Sequence, residues 1–334
     1  MRAAMYHGEG RVEIVELPVP AIGPGELLVR VAACGICGSD LMTWYQDPRA
    51  PLVLGHEPVG VVEAAGEGAP FAPGDRVFVH HHVPCMTCAR CRAGLHTLCD
   101  TFRATRIDPG GLAELIRVPA ENARLDVLAV PEGMDDVTAT FIEPLGCILR
   151  GQRAAGVGPG TRVAVVGAGS MGLLEIMAAR ALGAPAVVAV EPQEHRAAMA
   201  RDAGALVPGG VDAARQALGG DGAEVVFVTT TSAAAIDAGL RLAAPGGTVQ
   251  LFAPPRPGTP VPVDLGAVWF REVSITSTYS AGPFDTREAL ELLASGAVDA
   301  APMVTHRVPL AEAGEALRLA RSGEAVKVVV DVAR

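Results

Sequence analysis

The stretch R-V-A-V-V-G-A-G-S-M-G-L-L-E-I-M-A-A-R-A-L, residues 162–182, decides how the second half of this chain folds. Arg162 to Val166 is a compact apolar run of strand length. Glycines follow at 167, 169 and 172, and Ser170 to Leu182 has helical periodicity. In such a strand–turn–helix unit Gly167 makes the tight turn, Gly169 lets the backbone approach a pyrophosphate, and Gly172 lets the helix pack on the strand. Ser170 and Met171 open the helix, whose free N–H groups and positive dipole end suit phosphate. A glycine pattern alone is a weak signal in a chain with 39 glycines. Its context strengthens it. Glu191 ends the next strand-like run, Ala186 to Val190, where a carboxylate accepts hydrogen bonds from an adenosine ribose. The same charge repels a 2′-phosphate, so NAD is expected over NADP, with Arg196 near enough to soften that preference. A turn that binds no nucleotide is the bland alternative.

Downstream the rhythm continues. Gln193 to Ala203 reads as helix, Glu224 to Val228 as strand, Ala233 to Leu242 as helix and Thr248 to Phe252 as strand, with Val273 to Thr276 as a sixth strand. Alternation of this kind implies a parallel sheet covered by helices. Pro254 to Pro262 is proline-rich and reads as a surface loop. Upstream of residue 150 the chain is β-rich instead. Val12 to Leu17, Glu26 to Val31, Val59 to Ala64 and Arg76 to Val79 are short apolar runs separated by turn signals such as Gly23-Pro24-Gly25, which suggests a small barrel or sandwich. After Thr286 come two helices (Thr286 to Leu293, Leu310 to Ala320) and a final strand, Ala325 to Val330, expected to rejoin the first domain. The expected division is therefore 1–148 with 286–334, and 149–285.

The chain has 334 residues, long enough for two domains, and 50% of them are apolar. A net charge of −10 argues against nucleic acid or an anionic membrane as main partner. Met1 to Gly10 has no apolar signal core, and no apolar run approaches a membrane span. A cytoplasmic protein is expected. Lys327 is the one lysine among 27 basic residues, which reads as codon bias.

Two groups of residues carry metal chemistry. Cys85, Cys88, Cys91 and Cys99 form C-x2-C-x2-C-x7-C, a spacing that lets short loops bring four thiolates to the corners of a zinc tetrahedron. The total of seven cysteines is odd, which speaks against a full disulfide framework. The second group is Cys37, His56, Glu57 and Glu143. Cys37 and His56 are typical zinc ligands, and either carboxylate can complete a three-ligand site with one open position. Such a site polarises an alcohol oxygen, and a neighbouring dinucleotide accepts hydride. Cys37 alone is more often a buried apolar residue, and His56 alone a satisfied structural histidine. Their company with the cysteine box and the glycine turn favours the metal reading.

The motifs C-G-I-C-G-S-D (34–40), G-H-E-P-V-G (55–60), G-D-R-V (74–77), the cysteine box, E-P-L-G (143–146) and V-G-A-G-S-M-G (166–172) together resemble the zinc-containing medium-chain alcohol dehydrogenases along almost the whole chain. The resemblance implies a doubly wound Rossmann domain, a GroES-like catalytic domain, and an active site in the cleft between them. It implies Cys37 and His56 as constant ligands of the catalytic zinc, with Glu57 and Glu143 in or beside its shell. Ser39 matches the hydroxyl that takes the substrate proton, and the four-cysteine box matches a structural zinc lobe. One departure is Met42, which stands where family members often carry a relay histidine. In the run His80-His81-His82, His82 resembles a histidine that lines the substrate site of threonine-type members. Strand alternation would turn His81 away from its neighbours. The loop between Cys37 and His56, with Asp40, Trp44 and Tyr45, is expected to wall the substrate pocket. Cys34 and Cys147 read as buried thiols.

The resemblance implies an NAD-linked oxidation of a secondary alcohol in a polyol or sugar derivative. Oxidation of the 3-hydroxyl of threonine is the alternative. A homodimer or homotetramer is expected, with a small-molecule alcohol as partner and neither nucleic acid nor membrane. A zinc-free reductase of activated double bonds and a non-catalytic nucleotide-binding sensor are readings of other classes.

Overall fold

A computed structural model describes residues 1–333. The chain divides into two compact units: Met1–Gly146 with Ala281–Gly296 and Ala300–Arg334, and Cys147–Ser280 with Ala297–Asp299.

In the first unit the central strand is Leu27–Gly35. Its alternate residues Leu27, Val29, Val31 and Ala33 are buried, as the period of two in L-L-V-R-V-A-A demands. It pairs antiparallel with Glu57–Ala65, Leu115–Val118 and Lys327–Asp331. The sheet continues through Arg76–Val79 to Val127–Ala129 on one side and to Val304–Pro309 on the other. A smaller sheet joins Val12–Glu16, Arg2–Tyr6 and Leu52–Val53. Two strands extend past their expected ends: Glu57–Ala65 at both, and Leu27–Gly35 by four residues beyond Val31. That extension carries the sheet to Cys34 and Gly35, beside Cys37.

In the second unit five parallel strands lie in the order Ala186–Val190, Arg162–Val166, Ala223–Val228, Ala243–Leu251, Ser274–Ser277. The helix Ser170–Ala181 buries Leu173, Leu174, Ile176, Ala178 and Ala179. The switch in strand order falls between Arg162–Val166 and Ala223–Val228, the place where open α/β sheets bind ligands. This is the Rossmann arrangement expected, with one correction. The strand near 273 is the fifth, because the segment before it has no strand. Five prolines between 254 and 262 remove ladder donors there, and Leu265–Phe270 is helical. The sixth sheet position lies at the opposite edge, reduced to one parallel bridge of Leu206 with Val188.

The helix expected over Thr286–Leu293 spans Pro283–Ala294. Pro283 suits the first helical turn because its missing N–H needs no partner there, and Asp285 accepts the N–H of Gly282 at 2.7 Å. The break between the units accordingly falls at 280/281 rather than at 286. No described helix is long and apolar enough to cross a membrane.

Candidate metal centre and dinucleotide turn

In the first unit Cys37, His56 and Glu57 each bring a ligand atom within 4.8 Å of the others. Cys37 follows the end of the central strand and precedes the short turn Gly38–Leu41. His56 and Glu57 stand where the neighbouring strand begins, with Glu57 paired in register with Gly35. Asp40 joins the group. Its Oδ2 accepts the N–H of Cys37 at 2.9 Å and its Oδ1 lies 3.4 Å from Nδ1 of His56. A carboxylate on one imidazole nitrogen leaves the other to a metal. Burial alone would hold the His56 pKa down, but Asp40 and Cys37 lift it well above its ordinary value. The pocket is therefore rich in negative charge and suited to a cation.

Glu57 is fully buried, and its Oε2 accepts from Nζ of Lys327 at 2.5 Å. Burial raises the Glu57 pKa, while Lys327 and then His56 oppose the rise. Its Oε1 is buried with no hydrogen-bond partner.

Glu143 falls in a second donor group, with His80 and His81, whose ligand atoms again lie within 4.8 Å of one another. His80 Nδ1 lies 2.6 Å from Asp126 Oδ2, and Thr286 donates to Asp126 Oδ1 at 2.5 Å. Nε2 of His80 and Nδ1 of His81 are buried without partners. The His81 ring sits 5.1 Å from both the His56 and the His80 rings. Burial, then His82, His56 and His80, push the His81 pKa well below its usual value, so it is a neutral donor.

Of the histidine run, His81 rather than His82 meets His56. The expected alternation does not apply, because the strand ends at Val79 and residues 80–82 are irregular. His82 is tied to the Thr105 carbonyl and packs on Phe102. Asp40, expected only in a pocket wall, orients His56. Its place three residues after Cys37 was the available signal.

The thiol of Cys37, the Asp40-backed imidazole of His56 and the orphan oxygen of Glu57 form a donor set that fits zinc, and the orphan nitrogens of His80 and His81 belong to the neighbouring group.

The four-cysteine box fits zinc as well. All four thiols are free, and their sulfurs lie within 4.8 Å of one another. Cys85 and Cys91 sulfurs are 3.9 Å apart, close to the edge of about 3.8 Å that four Zn–S bonds of about 2.3 Å require and far from a disulfide. The Thr87 hydroxyl, then the N–H groups of Thr87 and Cys88, point at Cys85 sulfur and hold its pKa down at about 5. Cys91, Cys99 and Phe102 make the small apolar core of this lobe.

In the second unit the glycine turn has the conformation its glycines suggest. Gly167 has φ +94°, and a Cβ at Gly172 would lie 1.9 Å from the Gly167 carbonyl oxygen. Gly172 thus serves the turn itself. The helix after Gly169 has no side-chain cap, which leaves its first N–H groups for a ligand. Glu191 accepts the N–H of Ala168 at 2.7 Å and of Gln193 at 2.8 Å. A carboxylate has about four acceptor sites, so ribose hydroxyls can still be accommodated. A Cβ at Gly169 would lie 3.9 Å from Nη1 of Arg196, which puts that guanidinium beside the turn.

The family description "Alcohol dehydrogenase GroES-like domain" matches residues 23–132, and "Zinc-binding dehydrogenase" matches residues 170–295. The chain is 32% identical over 331 residues to the L-threonine 3-dehydrogenase of Bacillus velezensis, covering 94% of each. It is 33% identical over 348 residues to the sorbitol dehydrogenase of Gallus gallus, covering 98% of this chain and 95% of that one. A protein of Sinorhizobium meliloti 1021, described as a zinc-binding dehydrogenase and solved bound to NADP, superposes with a TM-score of 0.89 at 31% identity over 99% of each chain. The fold is that of a GroES-like domain with a Rossmann domain, and the chain belongs to the zinc-containing medium-chain alcohol dehydrogenase family. It is an oxidoreductase of small-molecule alcohols, acting on CH–OH donors with zinc and a nicotinamide cofactor.

Proposed function

We propose that the protein oxidises a secondary alcohol of a polyol or sugar derivative, with NAD as acceptor. The observation that carries this reading is the cluster of Cys37, His56 and Glu57, with buried Asp40 behind the imidazole. Zinc held there, with Glu57 or Glu143 as the exchanging carboxylate, supplies Lewis-acid polarisation of the substrate hydroxyl. Asp40 fixes the tautomer of His56. Ser39, two residues from Cys37, takes the hydroxyl proton. His81, neutral and set against His56, offers an imidazole to a second substrate oxygen, and His82 is the neighbouring histidine that the resemblance places along the substrate site. The turn at Gly167, Gly169, Ser170, Met171 and Gly172 receives the cofactor phosphates. Glu191 receives the ribose and favours NAD, while Arg196 leaves some room for NADP.

Oxidation of L-threonine is the second reading, favoured by the relative from Bacillus velezensis named for it. A panel of polyols against threonine, with each nicotinamide cofactor followed by absorbance, tests both. Turnover of threonine alone selects the second reading, and turnover of neither class removes both.

Self-association through the edge strand Ser274–Ser277 is part of the same proposal. Leu265, Trp269 and Phe270 are strongly exposed beside it, and Ile275 lies on it. An open strand edge next to such an apolar face is covered most simply by a second copy. A cytoplasmic setting suits seven free thiols.

A further inference from the structure

His80 is 0% exposed and held on every side but one. Its ring packs against Phe78 and Phe102. Asn122 donates to its carbonyl at 2.9 Å, and its own N–H donates to the Asp126 carbonyl at 3.1 Å. Asp126 Oδ2 engages Nδ1 at 2.6 Å, and Thr286 holds the other Asp126 oxygen at 2.5 Å. Nε2 alone is buried and unpartnered. His81 leaves a nitrogen over in the same way. Burial keeps it neutral, its ring bonds to the backbone of His56, and its Nδ1 is buried without a partner. Glu143, 4% exposed in the first turn of the helix Ile142–Ala155, brings a carboxylate oxygen within 4.8 Å of a nitrogen of each ring.

We propose that His80, His81 and Glu143 form a third cation site, for a divalent transition ion such as zinc or cobalt, distinct from the Cys37 centre and the four-cysteine box. Buried polar atoms are ordinarily hydrogen-bonded, so two adjacent unpartnered imidazole nitrogens call for a ligand. Two imidazoles and one carboxylate are a donor set that such ions accept with a position left open. Asp126 on Nδ1 fixes the tautomer of His80 that turns a lone pair on Nε2 toward the ion, the usual support of a ligating histidine. Without a thiolate this is the weakest of the three sites, so dialysis empties it and leaves the other two loaded. Glu57 is then the carboxylate left for the Cys37 centre, and His81 serves a second substrate oxygen through the ion it holds.

The test adds cobalt(II) to the full-length, dialysed, zinc-retaining protein and follows visible and near-ultraviolet absorbance together with released zinc. Cobalt at either cysteine-bearing site shows a sulfur-to-cobalt charge-transfer band. Cobalt on two imidazoles and a carboxylate shows d–d bands without it. Wild type should take up one cobalt per chain with the sulfur-free spectrum and release no zinc. His80→Gln should abolish that uptake, and Asp126→Asn should weaken it by about 10–100-fold, the range for partners of metal ligands. Should His80→Gln not fold, Asp126→Asn carries the same comparison. No uptake overturns the inference, as does uptake that always carries the sulfur band. Sulfur-free uptake that is equal in wild type and the variants is surface binding and overturns it too. A starting content of one zinc per chain removes the Cys37 zinc reading instead, and the sulfur-free spectrum still decides the third site.

Discussion

Asp40 stands 3.4 Å from Nδ1 of His56 and, through its second oxygen, accepts the N–H of Cys37 at 2.9 Å. One carboxylate, 2% exposed, thus fixes the imidazole and the backbone of the thiol-bearing residue together. Replacing it by Asn keeps the shape and removes the charge. Asp40→Asn should weaken zinc at this centre by about 10–100-fold while leaving the four-cysteine zinc in place. Metal analysis after dialysis against a chelator checks this; a ratio unchanged from wild type rejects the role given to Asp40.

The four-cysteine box should behave as a separate structural site. Cys91→Ser removes one thiolate from the buried side of the lobe, beside Phe102. Zinc content should fall from two to one per chain, and protease should then cut between residues 85 and 104. A zinc-free reductase of the same build would show neither metal, so the wild-type metal count also decides between the classes of enzyme.

Glu191 should set the choice of dinucleotide. Glu191→Gln removes the charge that opposes a 2′-phosphate, with Arg196 already beside the turn. The ratio of kcat/KM for NADP over NAD should rise about tenfold, a change of about 1.4 kcal/mol. A fixed ratio would separate Glu191 from cofactor selection and leave it as a support for the N–H groups of Ala168 and Gln193.

Glu175 offers a test through pH. It lies fully buried in the helix Ser170–Ala181, where burial raises its pKa well above the usual 4.5 and the Gln152 amide, 2.8 Å away, opposes only in part. The folded chain therefore keeps a proton that the unfolded chain loses. Stability from this group is intact below about pH 4.5 and declines as pH rises toward the folded pKa. Glu175→Gln abolishes the decline, so its melting temperature should gain on wild type as pH rises, by about 2–4 °C for each kcal/mol relieved. Parallel melting curves at pH 5 and pH 8 would show that Glu175 is not held neutral.

Association should depend on Trp269 and Phe270, which are 79% and 88% exposed. Trp269→Asp with Phe270→Ser should lower the mass seen by light scattering while the melting temperature of the isolated chain stays put. An unchanged mass would place the contact elsewhere.

The inner strands of the parallel sheet were legible in the sequence because they are largely buried and read as compact apolar runs. Arg162–Val166 and Ala186–Val190 have the expected ends. The four thiols and the Cys37, His56, Glu57 group were legible for a different reason, since ligand chemistry restricts residue type. What stayed hidden depends on where a strand stops. His80 to His82 cannot be assigned by alternation once the ladder ends at Val79, so the choice between His81 and His82 was out of reach. Lys327 was hidden because its partner is 270 residues away in the chain, and composition offered a simpler account of a lone lysine. Asp126 and Thr286 back His80 across long stretches of chain too, and nothing local marks them.

Thr105 closes the cysteine lobe on itself. Its hydroxyl accepts the N–H of Val83 at 3.0 Å, and its carbonyl takes the ring of His82. The chain thus leaves the sheet at Val79, presents His80 and His81, and is pinned at once by a clasp whose far arm runs through all four thiols. Oxidants or metal scavengers that undo the box would slacken that clasp and let the imidazoles drift. An ion held by the box would in this way brace a neighbouring centre with which it shares no ligand, so that losing the first would loosen the second.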